Sequence, residues 1–145
     1  MGFGKTGKAV TRFLLDRGAH VTVSEIRPRN HISEEIASFE KNGATIIAGD
    51  HPRELFLCPD FIVISPGVDP HLQPLVEAQK KGIPVISEIE LASRFIDAPI
   101  VGITGTNGKT TTTALIASIL SRSGFSVFVV MAYRTCFVTI RIRAG

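Results

Sequence analysis

Apolar positions along this chain recur with two periods, and the two periods alternate. Thr6, Val10, Phe13 and Leu14 share one helical face until Gly18 ends the pattern, and His20-Val-Thr-Val-Ser24 then reads as a strand. Ile32, Ile36 and Phe39 mark a second helix closed by Asn42-Gly43, followed by a short strand over residues 44–48 and a Gly49-Asp-His-Pro52 loop. Phe61-Ile-Val-Ile64 is a continuous apolar run of the kind expected for a strand buried on both faces. Ser65-Pro-Gly67 breaks that run, and Leu72, Leu75 and Val76 open a third helix. After the strand Pro84-Val-Ile86, Ser87 stands at an N-cap position with Glu90 three residues on, a capping-box pattern ahead of Leu91, Phe95 and Ile96. Repeated β-α units of this kind predict the α/β class with a mostly parallel sheet.

Asp97-Ala-Pro99 is the expected boundary, giving one domain over residues 1–97 and the opening of another over 98–130. In the second, Ile100-Val-Gly-Ile103 leads into a Gly/Thr loop. Leu115, Ile116, Ile119 and Leu120 then give a helical face ending at Ser123-Gly124. Ser126-Val-Phe-Val-Val130 is the last strand the pattern supports, and residues 131–145 read as a tail outside this organisation, with a strand over 136–142 as the alternative.

The formal charge of +3 changes this picture little, because Arg134, Arg141 and Arg143 account for the whole excess; the rest of the chain holds 13 basic and 13 acidic residues. A balanced body without a basic stripe interleaved with aromatics argues against nucleic-acid binding. No apolar run is long enough to span a bilayer, and the start, MGFGKTGKAV, lacks the roughly 7–15-residue apolar stretch of a secretory signal. A cytoplasmic location away from membranes is therefore expected. Cys58 and Cys136 have no Cys/His cluster beside them, so two reduced thiols are expected in place of a zinc site or a disulfide.

The strongest chemical signal is Thr104-Gly-Thr-Asn-Gly-Lys-Thr110, set between an apolar strand and a helix. Gly105 and Gly108 allow the backbone of Thr106 and Asn107 to turn several N–H groups toward one point, and the helix start adds its positive dipole end. Lys109 reaches the β/γ-phosphates of a nucleoside triphosphate as a point charge, the Thr110 hydroxyl is placed for Mg²⁺, and Thr111 helps to begin the helix. The strict G-x-x-x-x-G-K-[ST] spacing fails, since Ile103 stands at its first glycine. A turn that merely caps a helix would leave Lys109-Thr110 without a purpose.

Gly2-Phe-Gly-Lys-Thr-Gly7 matches G-x-G-x-x-G and opens a helix, with Glu25 at the end of the next strand, near the place of a ribose-binding acid. Alone this suggests a dinucleotide, but the strand that should precede the loop is not in the sequence. In a doubly wound sheet that strand is central.

Together the two loops, with Val63-Ile-Ser-Pro-Gly67, Gly82-Ile-Pro-Val-Ile86 and Glu88-Ile-Glu-Leu91 between them, resemble a Mur ligase of the MurD type. The resemblance implies a Rossmann-like parallel-sheet domain for a UDP-substrate, here without its first strand, followed by the start of a P-loop ATP-binding domain. It implies that Gly4, Lys5, Thr6 and Gly7 lie near a diphosphate, that Glu25 and Arg27 flank uracil, and that Ser65 lies near the diphosphate or sugar. The family commonly has Asp and Thr where this chain has Glu25 and Ile26.

The implied reaction is ATP-dependent amide ligation in peptidoglycan precursor synthesis. ATP phosphorylates the alanyl carboxylate of UDP-N-acetylmuramoyl-L-alanine, and the amine of D-glutamate displaces phosphate. Lys109 and Thr110 would be the catalytic residues and Thr110 a ligand of Mg²⁺. A monomer is implied, and this chain by itself is expected to lack turnover. Past Val129 the family's Gly-Gly-Asn-Ile-Gly turn gives way to Val130-Met-Ala-Tyr-Arg-Thr-Cys136, as a shifted reading frame would leave it. An NAD(P)-binding module and a non-catalytic remnant are the alternatives; Lys109-Thr110 argues against the former, which has no use for it.

Overall fold

The structure is a computed structural model that describes residues 2–131 and 135–141, with side chains through residue 130. The chain divides into two compact units, Met1–Leu91 and Ala92–Gly145. The division falls within a helix, a few residues before the Asp97-Ala-Pro99 segment.

The first unit contains α1 (Lys5–Leu15), β1 (Thr22–Glu25), α2 (Ser33–Lys41), β2 (Thr45–Ala48), β3 (Ile62–Ile64), α3 (Gln73–Lys80) and β4 (Val85–Ser87). Helix α4 (Glu88–Ser93) runs across the division. Ser87 caps it as the sequence suggests, its hydroxyl accepting the Glu90 N–H at 3.1 Å. The pattern did not announce the short 3-10 turns at Arg29–His31 and Arg53–Phe56, since each holds too few residues to show a period.

The strands form parallel ladders, as β-α units require, with Thr22 opposite Thr45 in one and Ile62 opposite Val85 in the other. Among the described residues no ladder joins β1 to β3. The core divides in the same way. Phe3, Val23, Ile36, Phe39 and Ile46 are buried together around the first ladder, with the Phe3 and Phe39 rings edge to face at 5.1 Å. Phe56, Ile62, Leu75 and Ala78 are buried around the second.

The second unit contains β5 (Ile100–Thr104), α5 (Lys109–Arg122), β6 (Ser126–Met131) and β7 (Thr135–Arg141), in the sheet order β5-β7-β6. Here the parallel rhythm gives way, because β7 pairs antiparallel with both neighbours. Thr113 is fully buried on α5, whereas Leu115 and Ile119 are 59% and 63% exposed. The helix is apolar around more of its circumference than this three-stranded sheet covers. Among the described residues no helix is long and apolar enough to cross a membrane.

Candidate functional site

The 2–7 loop is shaped by close backbone approach. A Cβ on Gly7 would fall 2.0 Å from the Gly2 carbonyl oxygen, so no side chain fits there. Gly2, at φ +89°, lies against Ser65, whose Oγ would stand 3.1 Å from an added Cβ. The loop leads into α1 through Gly4, which offers no side-chain cap, and the first turn holds no acid. That helix start therefore presents a positive dipole end with Lys5 beside it, suited to an anion.

Glu25 fixes this loop from below. Its buried carboxylate accepts the Phe3 N–H at 2.6 Å, the Arg27 N–H at 2.9 Å and the Arg27 guanidinium at 3.1 and 3.3 Å. Arg27 Nη2 also donates to the Phe3 carbonyl at 3.1 Å. Burial works to raise the Glu25 pKa, but the hydrogen bonds from Arg27 and Phe3 outweigh it and hold the carboxyl at about 2, against an ordinary 4.5. The Arg27 guanidinium is raised in turn, chiefly by its bond to Glu25.

A pair that the sequence reading missed lies near the same strand end. The buried Ser24 hydroxyl shares a 2.5 Å hydrogen bond with His51 Nδ1, and the His51 ring stands edge-on to Phe56. Burial lowers the His51 pKa below its ordinary 6.5. Ser24 and Glu25 end β1, and His51 lies in the loop just beyond the carboxyl end of β2, on the side where open α/β sheets bind ligands.

In the second unit, β5 delivers the 105–108 loop to the start of α5. Gly105 and Gly108 take φ +147° and +75°, and Gly108 is the N-cap. The Lys109 ammonium folds back to the carbonyls of Gly105 and Thr106, the latter at 3.3 Å. The Thr113 hydroxyl donates to the Lys109 carbonyl at 2.7 Å, fixing the first turn of the helix from inside. Thr106, Asn107, Thr110 and Thr111 are exposed, and no acid lies in that first turn.

The profile of the Mur ligase MurD-like N-terminal domain matches residues 1–87, and that of the Mur ligase middle domain matches residues 103–140. This chain belongs to the MurD-like Mur ligases. It is 50% identical over 130 residues to the UDP-N-acetylmuramoylalanine–D-glutamate ligase of Desulfatibacillum aliphaticivorans, covering 89% of this chain and 29% of that protein. It is 47% identical over 129 residues to the ligase of the same name from Desulfosudis oleivorans, covering 89% and 28%. The chain thus spans less than a third of the length of these curated relatives. Among solved structures it resembles a pseudomurein peptide ligase type C from Methanothermus fervidus, with a TM-score of 0.52 and 32% identity over 84% of this chain and 25% of that one.

In this Mur ligase chain Thr6, Gly7 and Ser65 line one groove of the first unit, together with Gly2, Ser24 and Glu88. Glu25 and Arg27 touch the loop through Phe3, while Gly4 and Lys5 are exposed at the helix start. The middle-domain match extends through residue 140, across most of the segment that the motif comparison left outside the family.

Proposed function

We propose that this chain forms the UDP-substrate-binding and ATP-binding portions of an ATP-dependent ligase that joins D-glutamate to UDP-N-acetylmuramoyl-L-alanine. The observation that carries the reading is the pair of glycine loops, one in each unit, each delivering a helix start without an acid in its first turn. Family membership and the activity for which the relatives are named support the same chemistry.

In this reading the Gly4, Lys5, Thr6 and Gly7 backbone and side chains, with Ser65, receive the diphosphate of the substrate, and Arg27 lies toward the uracil. Glu25 is a positioning residue: its carboxylate is committed to Phe3 and Arg27, so it holds the loop and orients the guanidinium. That commitment also removes the feature that favoured a dinucleotide module, an acid turned toward a ribose.

In the second unit the 105–108 backbone and Lys109 receive the triphosphate of ATP, the ammonium exchanging its loop carbonyls for phosphate oxygens. The alanyl carboxylate attacks the γ-phosphorus and ADP leaves; the amine of D-glutamate then attacks the acyl phosphate and phosphate departs. Lys109 assists by placing positive charge where negative charge accumulates. Mg²⁺ fits the exposed Thr110 hydroxyl next to Lys109, with phosphate oxygens as further ligands, and would supply charge neutralisation there. The 145 residues alone are read as binding both nucleotides without completing the ligation.

Calorimetry with MgATP and with UDP-N-acetylmuramoyl-L-alanine tests this. Lys109→Ala should abolish the ATP heat and leave the UDP-substrate heat unchanged. A folded chain that binds NADH and neither of these ligands would overturn the proposal.

A further inference from the structure

Two neighbouring residues at the end of β1 hold the first glycine loop, and each is itself held by a second side chain. Glu25 accepts the Phe3 N–H on its carboxylate and is clamped by Arg27. Ser24 accepts the Gly2 N–H on its backbone carbonyl at 2.8 Å, and its buried hydroxyl is clamped by His51 Nδ1 at 2.5 Å. The path that brings His51 there is short and fixed at each step. Gly49, at φ +96°, follows β2 with its N–H on the Glu25 carbonyl at 2.9 Å, and the Asp50 carbonyl comes within 3.4 Å of Ser24 Oγ. The Asp50 carboxylate accepts the His51 N–H at 2.7 Å. Pro52 then leads into the 3-10 turn Arg53–Phe56, whose Phe56 is buried with Ile62 and Leu75 and meets the imidazole edge to face at 6.3 Å. The imidazole thus combines two contacts of different kinds, a hydrogen bond to Ser24 and a ring contact to Phe56.

We infer that His51 is a positioning residue: through the Ser24 hydroxyl it fixes the β1 end whose carbonyl holds Gly2, and it thereby sets the affinity of the 2–7 loop for the diphosphate of a UDP-linked substrate. The role rests on the proposed function of the first unit. Gly2 has no slack to absorb a shift in Ser24. Its carbonyl oxygen lies so near Gly7 that a Cβ there would stand 2.0 Å away, and its own α-carbon lies against Ser65. In packing this close, a displacement of the β1 end is passed on to Gly7 and Ser65. Both are groups that receive the diphosphate on the proposed function, and both are therefore aligned by a hydrogen bond that touches neither. A serine hydroxyl without such a partner rotates and bonds to whichever backbone acceptor is near, whereas the imidazole holds this one in place. Burial lowers the His51 pKa below 6.5, so at neutral pH the pair brings no charge of its own to the strand end.

The two contacts of His51 let this role be separated from simple packing. His51→Asn keeps a hydrogen-bonding amide where Nδ1 stands and loses the ring; His51→Phe keeps the ring and loses the bond. The test is calorimetry with UDP-N-acetylmuramoyl-L-alanine on the full 145-residue chain, with circular dichroism to confirm folding. Affinity should fall about tenfold in His51→Phe and stay within about threefold of the parent in His51→Asn. Ser24→Ala should weaken binding as His51→Phe does, and the two together no more than either alone, because they remove one interaction. The heat of MgATP binding should stay unchanged in every variant. Four results would overturn the role alone: a folded His51→Phe that binds as tightly as the parent; His51→Asn binding as weakly as His51→Phe, which would place the effect in the ring contact; additive losses in the double variant; or an equal loss of MgATP binding, which would mark general damage to the chain. If His51→Phe does not fold, Ser24→Ala decides the same question. A parent that binds no UDP-substrate would overturn the proposed function and this role together.

Discussion

Replacing Glu25 with glutamine tests whether a buried carboxylate holds the first glycine loop. The carboxyl titrates at about 2 in the fold and at 4.5 outside it, which corresponds to a contribution on the order of 3 kcal/mol at neutral pH. Because the folded pKa is the lower one, that contribution is fully present above pH 4.5 and is lost as the pH falls through about 2. Glu25→Gln keeps the shape of the side chain and one carbonyl oxygen, so it retains a bond to Phe3 or Arg27 but not the charge. Hydrogen bonds to charged groups are each worth about 1.5–3 kcal/mol, and the half-exposed Arg27 recovers part of the loss from water, so a net cost of about 1–3 kcal/mol at pH 7 is expected. Urea unfolding at pH 7, 4.5 and 3 should show the parent losing more stability than the variant over this range. Hydrogen exchange of the Phe3 and Arg27 amides should accelerate in the variant, as both donate to Glu25. Equal acid sensitivity of parent and variant, with unchanged exchange at these amides, would refute the reasoning.

Gly7→Ala reverses an ordinary rule. Alanine in a helix is normally better than glycine by about 0.5–1 kcal/mol, yet here the new methyl would lie 2.0 Å from the Gly2 carbonyl oxygen. A net loss of about 2–3 kcal/mol and a Tm lowered by roughly 10 °C are expected in thermal unfolding, and a raised Tm would contradict the loop geometry. Thr113→Val removes the hydroxyl that donates to the Lys109 carbonyl and should cost about 1 kcal/mol in urea unfolding; an unchanged midpoint would mean that bond contributes nothing. His51, whose pKa burial lowers from 6.5, should stabilise the fold fully above pH 6.5 and less as the pH falls through its folded value. An imidazole titration followed by nuclear magnetic resonance checks this, with a midpoint at or above 6.5 counting against it.

The helices and strands of the first unit were legible because each carries a full period of apolar residues and is bounded by glycine or proline. Ile32, at the N-cap of α2, and Ile36 and Phe39 within it show a 3.6-residue repeat and are all buried, and Phe61-Ile-Val-Ile64 shows the unbroken apolar run of a buried strand. The second unit was less legible, since antiparallel pairing of β7 depends on long-range register and leaves no mark in local periodicity. The Ser24–His51 pair was hidden for a related reason. Its members are 27 residues apart and meet only because β1 and β2 lie side by side. The one usable signal was that each polar residue stands at or just beyond the carboxyl end of an apolar strand. Glu25 ends β1 as the pattern expected, but its spacing alone could not tell a carboxylate facing a ligand from one bonded to Phe3 and Arg27.

The two glycine loops reach similar helix starts by opposite electrostatics. In the first, a carboxylate binds a backbone N–H, so the Phe3 donor is already spent and an arriving anion must rely on the α1 terminus, Lys5, Thr6 and Ser65. In the second, an ammonium binds backbone carbonyls, so the charge an anion needs is present but engaged, and on the proposed function phosphate binding would exchange two carbonyl contacts of Lys109 for phosphate oxygens. Exchange between acceptors of this kind costs little, because the lysine gains ionised partners for neutral ones. Displacing Glu25 would instead leave a buried carboxylate without its donors. On the proposed function, the first loop would therefore be a fixed cradle that a ligand leaves in place, and the second one whose lysine would move with an incoming phosphate.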